Sequence, residues 1–156
     1  PGPEAQIFDV RFIIHYREVT PGQGQDPVEK TLEWVVNKSI LRQDSDSQRE
    51  KVDIPGQGFY SFLGASIPPS EGEIRLFDYI DIIITGAGEE FRDLVLVEQA
   101  NTGITSAQNI PVYTNIEEGL GVFTSRFQLV RRGIRIGNEA RDSLQNGIFT
   151  KDINFN

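Results

Sequence analysis

His15 is the only histidine in the chain, and the chain has no cysteine. A histidine base needs a nucleophile to activate or a carboxylate to orient it. His15 sits in an alternating stretch, on its polar side next to Arg17, which reads as a surface or cross-strand histidine. The second chemistry open to this sequence is that of paired carboxylates. Glycoside hydrolysis needs two of them a few ångströms apart; Glu89, Glu90, Glu117, Glu118, Asp78 and Asp81 are the candidates. Adjacent Glu-Glu pairs at loops and helix starts are ordinarily solvated. One histidine without cysteine gives no usual zinc set. Asp44-Ser45-Asp46-Ser47 lacks the turn glycine and late glutamate of a calcium loop. Gly119-Leu120-Gly121 lacks the lysine and hydroxyl of a phosphate loop. The expectation is a chain with no catalytic, cofactor-binding or metal residues, and hence not an enzyme.

Aromatic side chains offer the remaining chemistry. Tyr16, Trp34, Tyr60, Tyr79 and Tyr113 are the amphipathic rings from which a sugar platform could be built. Trp34, Tyr16 and Tyr113 are the ligand-contact candidates. Trp34 with Tyr16 across a hairpin is equally a packing pair. Asn37-Lys38-Ser39 matches a glycan sequon, which matters in a eukaryotic secretory setting.

These residues need elements to hold them. Phe8, Val10, Phe12, Ile14 and Tyr16 alternate with Asp9, Arg11, His15 and Arg17, the pattern of a half-buried strand. The loop Pro21–Pro27 turns the chain, and Leu32, Trp34 and Val36 alternate back, giving a hairpin. Phe59, Phe62, Leu63 and Ile67 have helical spacing, ended by Pro68-Pro69. Glu73–Thr85 reads as a long, central strand, rich at its end in β-branched residues. A helix follows from about Gly88, with Glu89-Glu90 suiting its first turn; its end could fade into extended chain. Asn101–Asn109 reads as a polar loop. Asn138–Asn146 reads as a short helix closed by Gly147, and Ile148–Phe155 as a last strand. The expected fold is mainly β, an antiparallel sheet or β-sandwich-like arrangement with two or three short helices, in one domain over residues 1–156.

Bulk properties agree. The length suits one domain with a real core, and 38% hydrophobic residues with 10% aromatic is a folding composition. Net charge is −8, which argues against a nucleic-acid partner. No apolar run is long enough to span a membrane as a helix. The chain starts Pro-Gly-Pro and contains no methionine; it is expected to be a fragment of a longer protein, with any anchor upstream of Pro1.

The stretch Tyr113–Arg126 organises the rest. It passes through the Gly119-Leu120-Gly121 bend, where glycine permits positive φ and close approach. Asn115 is expected to tie the bend through side-chain hydrogen bonds. Ile116 and Phe123 are expected to anchor its ends in the core, and residues 113–130 to enter an interior-facing β ribbon through Phe123, Ser125, Phe127 and Leu129.

Together with Ala5–Phe12, Leu32–Val35, Gly58–Leu63, Ile82–Phe91, Thr102-Gly103-Ile104 and Asp142-Ser143-Leu144, this stretch resembles uncharacterised surface lipoproteins of Bacteroidota that carry a TNIENGLGxF-type signature. The resemblance covers most of the chain, and the Asn-Ile-Glu-x-Gly-Leu-Gly block is its most specific part. Asn115, Ile116, Gly119, Gly121 and Phe123 are the signature positions. The resemblance implies export, a lipid anchor on an N-terminal cysteine, attachment at the outer membrane or cell surface, a β-rich fold and outer-membrane protein partners. It brings no catalytic residues and no cofactor. Asp142-Ser143-Leu144 also matches the O-glycosylation tripeptide of such bacteria.

Overall fold

The computed structural model describes residues 5–22, 24, 26–42, 52–101 and 113–156. The Asp44–Ser47 segment and residues 102–109 of the expected polar loop, which include Thr102-Gly103-Ile104, lie outside the described residues.

Four strands form one antiparallel sheet: β1 (Ile7–Val19), β2 (Val28–Leu41), β3 (Ile74–Ala87) and β4 (Arg126–Ile134), in the order β2-β1-β3-β4. Three helices accompany them: α1 (Gly56–Ser66), α2 (Glu89–Asn101) and α3 (Asn138–Asn146). The fold is mainly β with short helices, as the alternation and the helical spacings require. α2 runs helical to Asn101, so Leu94–Val97 is not extended.

The chain divides into two compact units, one of Pro1–Val10, Asn37–Lys51 and Ile84–Leu129, the other of Arg11–Val36, Val52–Ile83 and Val130–Asn156. In the second unit Ile14, Tyr16 and Ile80 from the sheet pack with Phe59, Leu63 and Ile67 within and just after α1, Leu144 of α3, and Ile153 and Phe155. Trp34 closes one side of this core, stacked on Phe62 (5.4 Å between centroids) and edge-on to Phe12 (5.7 Å). Burying aromatic and branched side chains this way contributes about 1.5–3 kcal/mol each. In the first unit Ala5, Ile7, Phe8, Val10 and Ala87 are buried.

One expectation at the C-terminus is corrected. Ile148–Phe155 is not a strand: it turns, and meets β3 at one parallel bridge between Arg75 and Phe155. The reason is local, since Thr150 and Lys151 amides bond back to the Gly147 carbonyl, which curls the chain. Gly147 does close α3, though in extended rather than left-handed backbone (φ −67°). Glycine is needed there because a Cβ would collide with the Ser143 carbonyl.

Arg75 is the one charged side chain of the described residues in the core, 1% exposed. Its guanidinium donates to Glu18 (2.9 Å), to Glu73 (2.6 Å) and to the Ile153 carbonyl (2.7 Å). A buried cation persists only when paired and hydrogen-bonded in this way.

Candidate functional site

In the first unit the segment after residue 112 forms a closed loop. The Asn115 side chain replaces a strand pair: its Nδ2 donates to the Phe123 carbonyl and its Oδ1 accepts from the Phe123 amide, both at 2.7 Å. Thr114 Oγ1 donates to the Gly121 carbonyl at 2.9 Å, and the Asn115 amide donates to the same carbonyl at 3.3 Å. Gly121 has φ +136°, a region that side chains rarely adopt. A Cβ on Gly119 would meet Ile116 Cγ2 at 3.0 Å, and one on Gly121 would meet Ile116 Cδ1 at 3.3 Å. Ile116 thus lies over both glycines and fills the inside of the bend.

The apolar side chains of this loop do not anchor in a core. Phe123 is 82% exposed, Leu120 is 84% exposed and Ile116 is exposed as well. The physical reason is the Asn115 clamp: by pairing both backbone groups of Phe123 it fixes the backbone there and leaves the ring outside. The strand that follows begins at Arg126, not Phe123, and lies at the sheet edge with Phe127, Leu129 and Val130 exposed. The expected interior-facing ribbon is therefore an edge.

Tyr113, at the start of this loop, lines a recess of about 450 Å³ with Phe91, Leu94, Gly121, Val122, Thr124 and Arg126. Arg126 lies over the Phe91 ring, 4.0 Å from its centroid, a cation–π contact. The Tyr113 hydroxyl is pushed above its ordinary pKa by desolvation, and then by the charges of Asp93, Glu90 and Glu89. Glu89 and Asp93 themselves hold Arg92.

In the second unit the polar face of β1 meets β3. Phe77, Ile80 and Ile82 all pack on the core cluster, so the alternation of β3 slips by one residue between Phe77 and Ile80, as at a bulge. Asp78 and Tyr79 both gain polar-face partners from it. Arg17 grips Asp78 with Nε at 2.9 Å and Nη2 at 2.7 Å. That bond, and then the Asp78 charge, holds Arg17 above the ordinary arginine pKa. Tyr79 stacks on His15 at 4.3 Å and 22°. His15 Nε2 lies 3.4 Å from Asp81 Oδ2 without the geometry of a hydrogen bond, and Nε2 is buried with no such partner among the described residues. Asp81 accepts from the Gly133 amide at 2.9 Å. A cleft of about 420 Å³ opens here, lined by Phe77, Asp78, Tyr79, Gly133, Arg135 and Arg141.

Of the aromatics singled out by sequence, Tyr16 is a core residue, 7% exposed, and Trp34 is packed among phenylalanines. They do not form a sugar platform, because hairpin pairing turns both toward the helices. Tyr113 alone of the three lines a recess. Tyr79 is the exposed, stacked ring. Its partner His15 was visible as a polar-face residue; Arg141, brought to Arg135 by α3, was not. Ser143 lies inside α3 beside buried Leu144, its carbonyl bonded by the Gly147 amide and Thr150 Oγ1. Among the described residues no group of three or more metal-binding side chains occurs, and no helix is long and apolar enough to cross a membrane.

Comparison of the chain with protein-family models, with curated proteins and with solved structures finds no match in any of the three.

Proposed function

We propose that this chain is a non-enzymatic binding domain of a Bacteroidota-type surface lipoprotein, held at the outer membrane, and that the loop 113–124 docks it onto an outer-membrane protein. The observation that supports this reading is the clamped loop, which carries Leu120 and Phe123 outward on a backbone fixed by Asn115 and Thr114. Exposed apolar side chains on a soluble surface mark interaction sites when they cluster. A loop already held in one shape loses little freedom on binding, and an aromatic anchor is the usual centre of such a contact. The resemblance to anchored surface lipoproteins supplies the setting.

The two other functions have less support. A carbohydrate-binding module using Trp34 and exposed tyrosines loses its main ring, because Trp34 packs among phenylalanines against the core, and Tyr16 is buried in it. A carboxylate hydrolase needs one proton-bearing acid and one free base; Asp78, Asp81 and Glu89 are instead held by Arg17, by the Gly133 amide and by Arg92.

The test is crosslinking and co-purification of the full-length lipoprotein from native outer membranes, as wild type and as Leu120→Ser with Phe123→Ser. One membrane-protein partner is expected with the wild type and not with the variant, at equal protein abundance. Recovery of the lipoprotein alone, or of the same partner at the same yield with the variant, would overturn the reading.

A further inference from the structure

The cleft of the second unit has a composition unlike the rest of the surface. The chain carries 15 Lys and Arg against 23 Asp and Glu, and five of its arginines are engaged elsewhere. Arg11, Arg17, Arg75 and Arg92 each hold a carboxylate, and Arg126 lies on Phe91. Among the described residues the side chains of Arg135 and Arg141 have neither an ion pair nor a hydrogen bond, yet both line one cleft. The single carboxylate there, Asp78, is already matched by the two-nitrogen grip of Arg17. The cleft therefore keeps two free positive charges in an acidic protein.

Its other wall is aromatic. Tyr79 is 37% exposed and is backed by His15 at 4.3 Å, with Asp81 behind His15. Gly133, with φ +70°, turns the chain beside it and has nothing within 4 Å of where a Cβ would stand, so this side of the cleft is open. Its volume, about 420 Å³, is within the range of small-molecule sites.

We propose that this cleft binds a sugar acid, a pyranose ring carrying a carboxylate. Each component answers one part of that ligand. A guanidinium is a planar fork that matches a carboxylate with two parallel hydrogen bonds, and Arg135 and Arg141 supply two. The exposed Tyr79 ring receives the C–H face of the sugar. Asp78, charged and acceptor-only, takes a ring hydroxyl through the lone pairs that Arg17 leaves. A ring with hydroxyls separates a sugar acid from a bare anion: phosphate gains from the arginines but brings no ring hydroxyl to Asp78 and offers Tyr79 no C–H face. A neutral sugar loses both arginine contacts. The site is independent of loop 113–124, so docking and sugar-acid binding fail or succeed separately.

The experiment is an amide NMR titration of the 156-residue chain with glucuronic acid, with glucose and inorganic phosphate in parallel. Glucuronate is expected to shift the amides of residues 77–79 and 133–141 to saturation, with glucose and phosphate each at least about tenfold weaker. Arg135→Ala with Arg141→Ala is expected to weaken glucuronate about tenfold or more, the scale of losing charge-assisted hydrogen bonds; both residues are exposed, so the spectrum elsewhere should be retained. Tyr79→Ala should weaken glucuronate while leaving phosphate unchanged. No saturable shift with glucuronate, equal binding by the double variant, or phosphate binding as tightly as glucuronate would each overturn the proposal.

Discussion

Asn115 and Phe123 are joined by two hydrogen bonds of 2.7 Å, side-chain amide to backbone carbonyl and backbone amide to side-chain carbonyl. A single asparagine thereby makes the two bonds that facing residues exchange in an antiparallel ladder, across a bend too tight for strands to pair.

Asn115→Ala should open that bend without unfolding the protein. A net intramolecular hydrogen bond contributes about 0.5–1.5 kcal/mol, and the loop is exposed, so global stability should fall by no more than about 1–2 kcal/mol. The local effect should be larger. The Phe123 amide should lose its protection in hydrogen exchange, while amides of β1 and β3 keep theirs. An unchanged Phe123 amide would mean that its bond to Asn115 Oδ1 is not what protects it.

Gly121→Ala tests the same bend from its backbone. With φ at +136° and Ile116 Cδ1 3.3 Å from a built Cβ, alanine is strained in shape and in space. Strain of this kind costs about 1–3 kcal/mol, again confined to the loop. Exchange should loosen at residues 113–123 as it does in Asn115→Ala. Combined, the two substitutions should add less than their sum, because either one opens the same closure.

How far these features could be read in advance depended on their range. Asn115 and its glycines were legible because turn chemistry is local. The outward placing of Phe123 was not, because an apolar side chain suggests burial and only the three-dimensional clamp reverses that; burial of apolar residues is a tendency with many exceptions. β1 was legible from five alternating apolar residues. The slip in β3 was hidden, since Tyr79 and Ile80 are both apolar enough to take either face. Tyr79, Asp78 and Asp81 were each visible as residue types. Their convergence with Arg141 was not, because α3 joins them only through tertiary packing.

Gly64→Ala should destabilise, although the position is helical. In open space alanine is favoured over glycine in a helix by about 0.5–1 kcal/mol. Here the Phe149 carbonyl occupies the place of the new methyl, and forced overpacking costs about 1–3 kcal/mol. The steric term is larger, so the melting temperature should fall by several degrees. Gly58→Ala in the same helix is the control: the nearest atom to its Cβ position is Trp34 Cζ2 at 3.8 Å, an ordinary contact, so its melting temperature should not fall. Equal behaviour of the two variants would show that helix 56–66 and the Phe149 turn do not meet as described.

Arg75→Ala should be among the most damaging single changes. It empties a core position and leaves Glu18 and the Ile153 carbonyl without their donor. Breaking a buried pair from one side costs about 3–5 kcal/mol, a large part of the stability of a domain this size. Arg75→Met keeps much of the volume and should still be destabilising, since the carboxylates remain. Pairing Arg75→Met with Glu18→Gln should recover part of the loss in a denaturant melt, because the half-buried charge is then gone.

The partner carboxylate Glu73 gives the same cluster a pH signature. Its pKa lies below the ordinary glutamate value of 4.5, chiefly through a hydrogen bond from its own backbone amide, opposed by desolvation and reinforced by the Glu71 amide and the Arg75 charge. A folded-state pKa below the unfolded one means that the unfolded chain binds the proton first as acid is added. The stabilisation is complete above 4.5 and is lost as pH falls toward and through the folded value. Wild type should therefore lose stability across that acid window. Glu73→Gln, which cannot ionise, should be less stable at neutral pH and should show a shallower slope there, so the two curves approach each other in acid. Denaturation midpoints taken from about pH 7 to about pH 3 at fixed ionic strength decide it: a constant gap between the curves would mean that the ionised carboxylate of Glu73 does not contribute to the fold.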